Sequence, residues 1–230
     1  MLPANATLLR CPHCGAQKEV LSLMSGNTFH ATLWSDTKYI APMLPRVSPV
    51  QRCPECGKYF IYDQSVIAGQ SDGYSSNQGN LPLEYLKEAL AQLQPSGIDE
   101  QNLRFFILWG FNDRYGQTPQ PEIPLEEWNY HMDNVQHLLA MMDTNPLMSS
   151  ELYREIGEFD KCIQILTTCQ LDEAMQGFKN QILAEAQKQN RSVIVLYGDV
   201  QRRAITLDNY RETTYQPQPR DEDDKPDLPF

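Results

Sequence analysis

Two five-residue segments decide the fold of the first quarter of the chain: Cys11-Pro12-His13-Cys14-Gly15 and Cys53-Pro54-Glu55-Cys56-Gly57. In each segment the two-residue spacing directs both sulfurs toward one point. The glycine that follows can adopt the tight turn that aims backbone N–H groups at the sulfurs. Two such turns together supply the four sulfur ligands of a tetrahedral metal site. We therefore predict that one structural Zn²⁺ ion is bound by four cysteines: Cys11, Cys14, Cys53 and Cys56.

Two other uses of these cysteines compete with structural zinc. A thioredoxin-type redox pair belongs at a strand-to-helix turn in a βαβ unit, and no such unit is predicted here. A catalytic zinc keeps an open coordination position and usually has His or carboxylate ligands, whereas four thiolates close the shell. We expect His13 and His30 to be surface or packing residues rather than ligands, with His30 in a strand.

The two segments resemble the knuckles of the zinc-ribbon family, in which Cys-Pro-x-Cys-Gly turns lie at the tips of β-hairpins. The resemblance covers about residues 8–62 and implies a small antiparallel β domain. Residues 15–52 separate the knuckles, a longer stretch than the roughly 15–20 residues of the simple form. We expect an inserted hairpin and a proline-rich loop to absorb the excess.

The chain is predicted to have an α+β fold, in which a small zinc-ribbon domain precedes an all-α domain. The first part contains short β-type stretches at 18–21, 28–34, 38–40 and 58–62. From residue 81 the apolar period becomes helical, which predicts about six helices before residue 187. The predicted organisation is a ribbon at 1–67, a polar linker at 68–80, a helical domain at 81–197, and a C-terminal segment at 198–230 with a disordered acidic tail. Residues 192–197 fit either a strand or the end of the last helix.

The sequence around Gly157 resembles the turn between the two helices of a tetratricopeptide repeat. A glycine ends the first helix of that repeat, an aromatic residue follows, and a small residue packs from the second helix; Gly157, Phe159 and Cys162 match these places. The match covers about 25 residues, and neighbouring 34-residue periods do not extend it. It implies one unit of a helical-hairpin array, and the whole chain resembles bacterial proteins that join a zinc ribbon to helical repeats. Cys162 and Cys169 are expected to face the helix-packing interface as small apolar groups.

Charge limits the partners. Residues 1–80 contain six Lys or Arg against five Asp or Glu, so the net charge of −11 comes from the rest of the chain. An acidic helical body opposes nucleic-acid binding, which depends on phosphate neutralisation.

No apolar run approaches the roughly 18 residues of a membrane span. The N-terminus does not resemble a signal peptide, so we expect a cytoplasmic protein that does not bind membranes.

No catalytic signature is evident, since the phosphate loop and the serine elbow are both missing. We predict a non-enzymatic zinc-binding adaptor or scaffold whose helical domain binds another protein. The alternative is a nucleic-acid-associated protein, in which Tyr39, Tyr59 and Tyr62 of the ribbon would stack on bases. An enzyme with acidic residues in an interdomain cleft is a third class.

If the aromatic stretch 105–115 has a functional surface, its candidates are Trp109, Asn112, Asp113 and Arg114. The partner, the oligomeric state and the docking of ribbon on helices stay open.

Overall fold

A computed structural model describes residues 1–115, 121–142 and 144–198. Its strands are β1 (Leu2–Pro3), β2 (Thr7–Arg10), β3 (Gln17–Val20), β4 (Leu23–Ser25), β5 (Thr32–Trp34), β6 (Tyr39–Ile40), β7 (Val50–Arg52), β8 (Tyr59–Ile61), β9 (Ile67–Gln70) and β10 (Val195–Tyr197). Its helices are α1 (Leu83–Leu93), α2 (Gly97–Tyr115), α3 (Leu125–Met141), α4 (Pro146–Glu155), α5 (Phe159–Thr168) and α6 (Glu173–Gln187). Small antiparallel sheets and helices together make an α+β architecture, as predicted. The predicted acidic tail lies outside the described residues.

Two antiparallel hairpins carry the cysteine segments at their tips. Strand β2 pairs with β3, with Arg10 opposite Gln17, and β9 flanks β2 on its other side. Strand β7 pairs with β8, with Arg52 opposite Tyr59. Each Cys-x-x-Cys segment therefore forms the turn that joins two paired strands.

A third sheet joins the last described strand to two strands of the N-terminal part of the chain. Its strand order is β10-β5-β6, and Val195 lies opposite Trp34. Residues 195–197 are thus a strand. The strand predicted at 28–34 begins only at Thr32, and the expectation that His30 lies in a strand was wrong. His30 lies in a turn with a positive φ of 58°.

The second hairpin packs directly on the helices. Val50 and Tyr59 share a core with residues of α1 and α2, including Leu83, Leu86 and Ile107. The ribbon hairpins have their own core, in which Leu9, Val20, Phe60 and Val66 surround Cys11 and Cys53. Full burial of an apolar side chain such as Val50 contributes about 1.5–3 kcal/mol, so the core that the second hairpin shares with α1 and α2 holds the ribbon against α1.

The segment predicted as a linker is also in contact with the ribbon. Strand β9 extends to Gln70. Further along, the Leu21 N–H donates to the Asn77 carbonyl at 2.7 Å, and Asn77 Nδ2 donates to the Glu19 carbonyl at 2.9 Å. Residues 68–80 therefore run along the sheet, and the division of the chain into domains stays a prediction.

The remaining helices pack in sequence order. Helices α2, α3 and α4 share a core built from Leu108, Val135, Leu138 and Leu152. Between α4 and α5 the chain turns at Gly157, whose φ of 87° suits glycine. Cys162 and Ile182 then join α5 to α6, and Cys169 packs at the edge of that cluster, as expected. Among the described residues, no helix has the length and apolar character needed to cross a membrane.

Candidate metal centre

The two hairpin tips bring four cysteine sulfurs together. All four Sγ atoms lie within 4.8 Å of one another, with Cys11 and Cys56 at 3.7 Å and Cys14 and Cys53 at 3.6 Å. A tetrahedral ion with metal–sulfur bonds of about 2.3 Å needs sulfur–sulfur edges of about 3.8 Å. A disulfide would need about 2.05 Å, and all these cysteines are free. The spacing therefore fits four ligands of one metal ion.

The same backbone turn forms both halves of the centre. The Gly15 N–H donates to the Cys11 carbonyl at 2.9 Å, and the Gly57 N–H donates to the Cys53 carbonyl at 3.1 Å. Both glycines have left-handed backbones, with φ of 77° and 70°. This conformation costs an ordinary residue about 1–2 kcal/mol, which explains a glycine at each position.

Backbone amides also donate to the sulfurs. His13 N lies 3.4 Å from Cys11 Sγ, and Cys56 N lies 3.5 Å from Cys53 Sγ. Burial is the largest single influence on Cys53 and raises its pKa. Hydrogen bonds from the Cys56 and Glu55 amides and from the Cys14 and Cys56 thiols outweigh burial and lower the pKa of Cys53 to about 6.

The opposite shift appears at Cys14. The Ala16 amide favours its thiolate most strongly, but burial and the neighbouring thiols, Cys53 first, together raise the pKa of Cys14 to about 12. Four sulfurs this close cannot all ionise alone, because like charges repel. A divalent cation among them removes that repulsion and stabilises four thiolates.

The centre has a buried and an exposed side. Cys11 and Cys53 are buried in the ribbon core, whereas Cys14 and Cys56 are exposed. The sulfur cluster is therefore held by the core on one side and open to chelators or metal donors on the other. Within the described part of the chain, no second group of three or more His, Cys, Asp or Glu side chains could hold a metal ion.

Three cations lie next to the cysteines along the chain, Arg10, Arg52 and Lys58, and the structure adds a fourth cation close to Cys53. Arg10 and Lys58 are exposed. Lys18 instead is half-buried and donates from Nζ to the Arg52 carbonyl at 3.3 Å. Burial lowers the pKa of Lys18, while the charge of Cys53 acts to raise it. The pairing of β2 with β3 brings Lys18 here, which residue spacing alone does not reveal.

Neither histidine belongs to the sulfur cluster. His13 Nε2 lies 3.0 Å from the Tyr59 carbonyl oxygen, so its ring ties the first knuckle to the strand that follows the second. His30 lies in a turn beside a cavity of about 370 Å³ that Phe29 and Tyr197 also line.

Two side chains connect the second knuckle to α1. The Tyr59 hydroxyl donates to Glu88 Oε2 at 2.6 Å. The Arg52 guanidinium lies over the Tyr85 ring, 4.8 Å from its centre. Tyr59 is buried, so the expectation that its ring is exposed for base stacking was wrong. Burial, followed by the hydrogen bond to Glu88, raises the pKa of Tyr59 to about 12.

The candidates from the aromatic stretch 105–115 make structural contacts. Trp109 Nε1 donates to the Asp36 carbonyl at 2.9 Å, and Asn112 is buried. Asp113 pairs with Lys38, and Arg114 pairs with Glu84 at 2.5 Å. These contacts attach α2 to the β5–β6 turn and to α1.

Comparison with known proteins found no similarity: no family model, curated protein or solved structure matches this chain.

Proposed function

We propose that this protein is a non-enzymatic scaffold, held together by one structural zinc ion, whose helical part binds another protein. The observation that carries the proposal is the cluster of four cysteine sulfurs at two hairpin tips. Cys11, Cys14, Cys53 and Cys56 would hold the ion.

The donor set favours zinc with a structural role. Four thiolates at tetrahedral spacing select zinc or an iron–sulfur centre over magnesium or calcium, which prefer oxygen ligands. Four protein ligands leave no coordination position for water or substrate, so the ion would not act as a catalyst. The reducing environment of the cytoplasm would keep the thiols available.

The helical part supplies the reason for a protein partner. Helices α4, α5 and α6 pack one on the next, and the turn at Gly157 has the geometry of a helical hairpin. The match of Gly157, Phe159 and Cys162 to a tetratricopeptide repeat supports a surface of stacked hairpins, which in other proteins binds peptides or helices.

The burial of Tyr59 removes one argument for the alternative, a nucleic-acid-associated protein whose tyrosines stack on bases. Tyr59 hydrogen bonds to α1 and is buried, while Tyr39 and Tyr62 are half-buried. With six basic and five acidic residues in the first 80, little charge remains to attract phosphate.

Affinity capture with the intact, metal-loaded protein tests the proposal. The helical variant would combine Asn180→Arg with Gln187→Arg, two exposed positions seven apart on one face of α6. The matched control would combine Ser76→Arg with Asn80→Arg, which adds the same charge at exposed positions outside the helices. We expect a partner that wild type and control retain and the helical variant loses. Capture that never depends on the helical face would contradict the proposal.

A further inference from the structure

A second cluster of polar side chains, remote in sequence from the cysteines, is buried where α4 meets the β5–β6 turn. Glu151 and Arg154 are fully buried, and Glu155 is 4% exposed. Asp36 is fully buried opposite them. Burial of charged groups is costly unless each has a partner, so the protonation of this cluster has to be accounted for.

One amide group bridges two of the carboxyl groups. Asn112 Nδ2 donates to Asp36 Oδ2 at 2.9 Å and to Glu155 Oε2 at 2.9 Å. An amide nitrogen carries two hydrogens, so both are used. Two carboxyl groups held by the same nitrogen lie too close to be charged together without a large repulsion.

The adjacent cation is already committed to another carboxylate. Arg154 Nε donates to Glu151 Oε2 at 2.8 Å, and Arg154 Nη2 donates to Glu151 Oε1 at 2.5 Å, a bidentate pair. Glu155 Oε1 is buried and has no hydrogen-bond partner among the described residues. Burying an oxygen without a hydrogen-bond partner costs much less free energy in a neutral carboxyl group than in a charged carboxylate.

The same arginine holds the segment that leads into β10. Arg154 Nη1 donates to the carbonyls of Asn190, at 2.5 Å, and Ser192, at 2.9 Å. Ser35 Oγ lies 3.4 Å from Arg154 Nη2 and accepts from the Ile194 N–H at 3.1 Å. The cluster is therefore the joint between the β5–β6 turn, α4 and the approach to β10.

We propose that Glu155 carries a proton in the folded protein and that loss of this proton releases the segment 190–197, so that the cluster is a pH-sensitive latch. Ionised Glu155 competes with Glu151 and with the carbonyls of Asn190 and Ser192 for Arg154. The bonds that hold β10 against β5 then weaken.

The charged and titratable groups around Glu155 come from every element packed there. Asp36 comes from the β5–β6 turn, Glu151 and Arg154 from α4, Cys162 from α5, and Arg191 from the segment after α6. Arg191 Nε donates to the Glu155 backbone carbonyl at 3.0 Å. Burial first, then the charges of Glu151 and Asp36, raise the pKa of Glu155 well above its usual value, against the opposing effects of Asn112 and Arg154.

The direction of the pH effect follows from this shift. A carboxyl group whose pKa is raised by folding stabilises the native state fully below its unfolded pKa, and loses that contribution as pH rises through the folded pKa. Between the pKa that Glu155 has in the released state and its higher folded pKa, each pH unit increases the released population about tenfold, and above the folded pKa the population no longer rises.

Carbon-13 NMR of glutamate carboxyl groups tests the proton directly in the intact protein. One glutamate carboxyl group should titrate well above the usual glutamate range in wild type, and this titration should be missing from Glu155→Gln, whereas Glu158→Gln, at an exposed position, should keep it. Asp36→Asn should move that titration to lower pH, which provides a second route if Glu155→Gln does not fold. Titration of every glutamate near pH 4 would overturn the proposal.

Amide hydrogen exchange tests the release. At alkaline pH the Ile194 amide should exchange at least about tenfold faster in wild type than in Glu155→Gln at the same pH, because the amide side chain of that variant cannot ionise. Glu158→Gln should match wild type. Equal exchange in wild type and Glu155→Gln across the whole pH range would contradict the latch.

Discussion

The Tyr59 hydroxyl donates a 2.6 Å hydrogen bond to Glu88 Oε2, and this contact joins the strand after the second knuckle to helix α1. The His13 ring touches the backbone of the same tyrosine at 3.0 Å. Tyr59 therefore contacts both knuckle regions and the helices, so the ribbon and α1 should respond together when the centre is disturbed.

Tyr59→Phe should leave the fold intact and cost about 1.5–3 kcal/mol, the usual value of a hydrogen bond to a charged group. The pKa of Tyr59 is raised to about 12, so its contribution is complete below about pH 10 and is lost as pH rises toward 12. In an absorbance titration of tyrosine ionisation, the transition at the highest pH should be missing from Tyr59→Phe. The exposed Tyr74→Phe should keep that transition, and its loss in both variants would contradict the assignment.

Cys53→Ser should abolish metal binding and lower the melting temperature, because structural zinc supplies on the order of 10 kcal/mol of apparent binding free energy in small domains. Since the β7–β8 hairpin shares a core with α1 and α2, we expect circular dichroism to report loss of helix as well as of ribbon. Cys169→Ser, the same change outside the cluster, should bind metal normally. Unaltered metal content in Cys53→Ser would contradict the site.

Gly57→Ala and Gly15→Ala make a matched pair. Both require an alanine in the left-handed region, which costs about 1–2 kcal/mol. A methyl group at Gly57 would also meet Arg52 Nη2 at 3.2 Å, whereas nothing lies within 4 Å at Gly15. Urea unfolding should therefore show the larger loss for Gly57→Ala. The reverse order would indicate that Arg52 is not held over Tyr85.

Because His131 is buried, we expect the folded protein to lose stability in acid. Its ring stacks on Phe111 at 3.7 Å, and burial, with a smaller effect of Arg191, lowers its pKa to about 3. Its contribution is therefore complete above about pH 6.5 and is lost as pH falls toward 3. His131→Phe keeps an aromatic ring and should lose less stability between pH 7 and pH 5 than wild type in urea unfolding. The exposed His137→Phe should follow wild type; identical pH profiles for all three would refute this account.

The sequence predicted features that depend on local chemistry. Two Cys-Pro-x-Cys-Gly turns were enough to place four sulfurs together, because each turn sets its own geometry. Helix α1 begins at Leu83, close to residue 81 where the helical period was predicted to start, since the apolar spacing of Leu83, Leu86 and Ala89 marks one buried face.

Features that depend on distant pairing could not be predicted in this way. The partners Ser35 and Ile194 are 159 residues apart, and no local pattern connects them. Glu151 and Arg154, three residues apart on a helix, have the spacing of an ordinary exposed ion pair, yet both are fully buried. Tyr59 has the alternation of a strand, but only the docking of α1 decides that its ring is covered.

Zinc K-edge X-ray absorption on protein purified under reducing conditions tests the central claim most directly. Four convergent thiolates predict one zinc ion per chain with four sulfur neighbours at about 2.3 Å. Protein without zinc, or zinc with nitrogen or oxygen neighbours in place of one or more sulfurs, would contradict the claim that Cys11, Cys14, Cys53 and Cys56 close the coordination shell of a single ion.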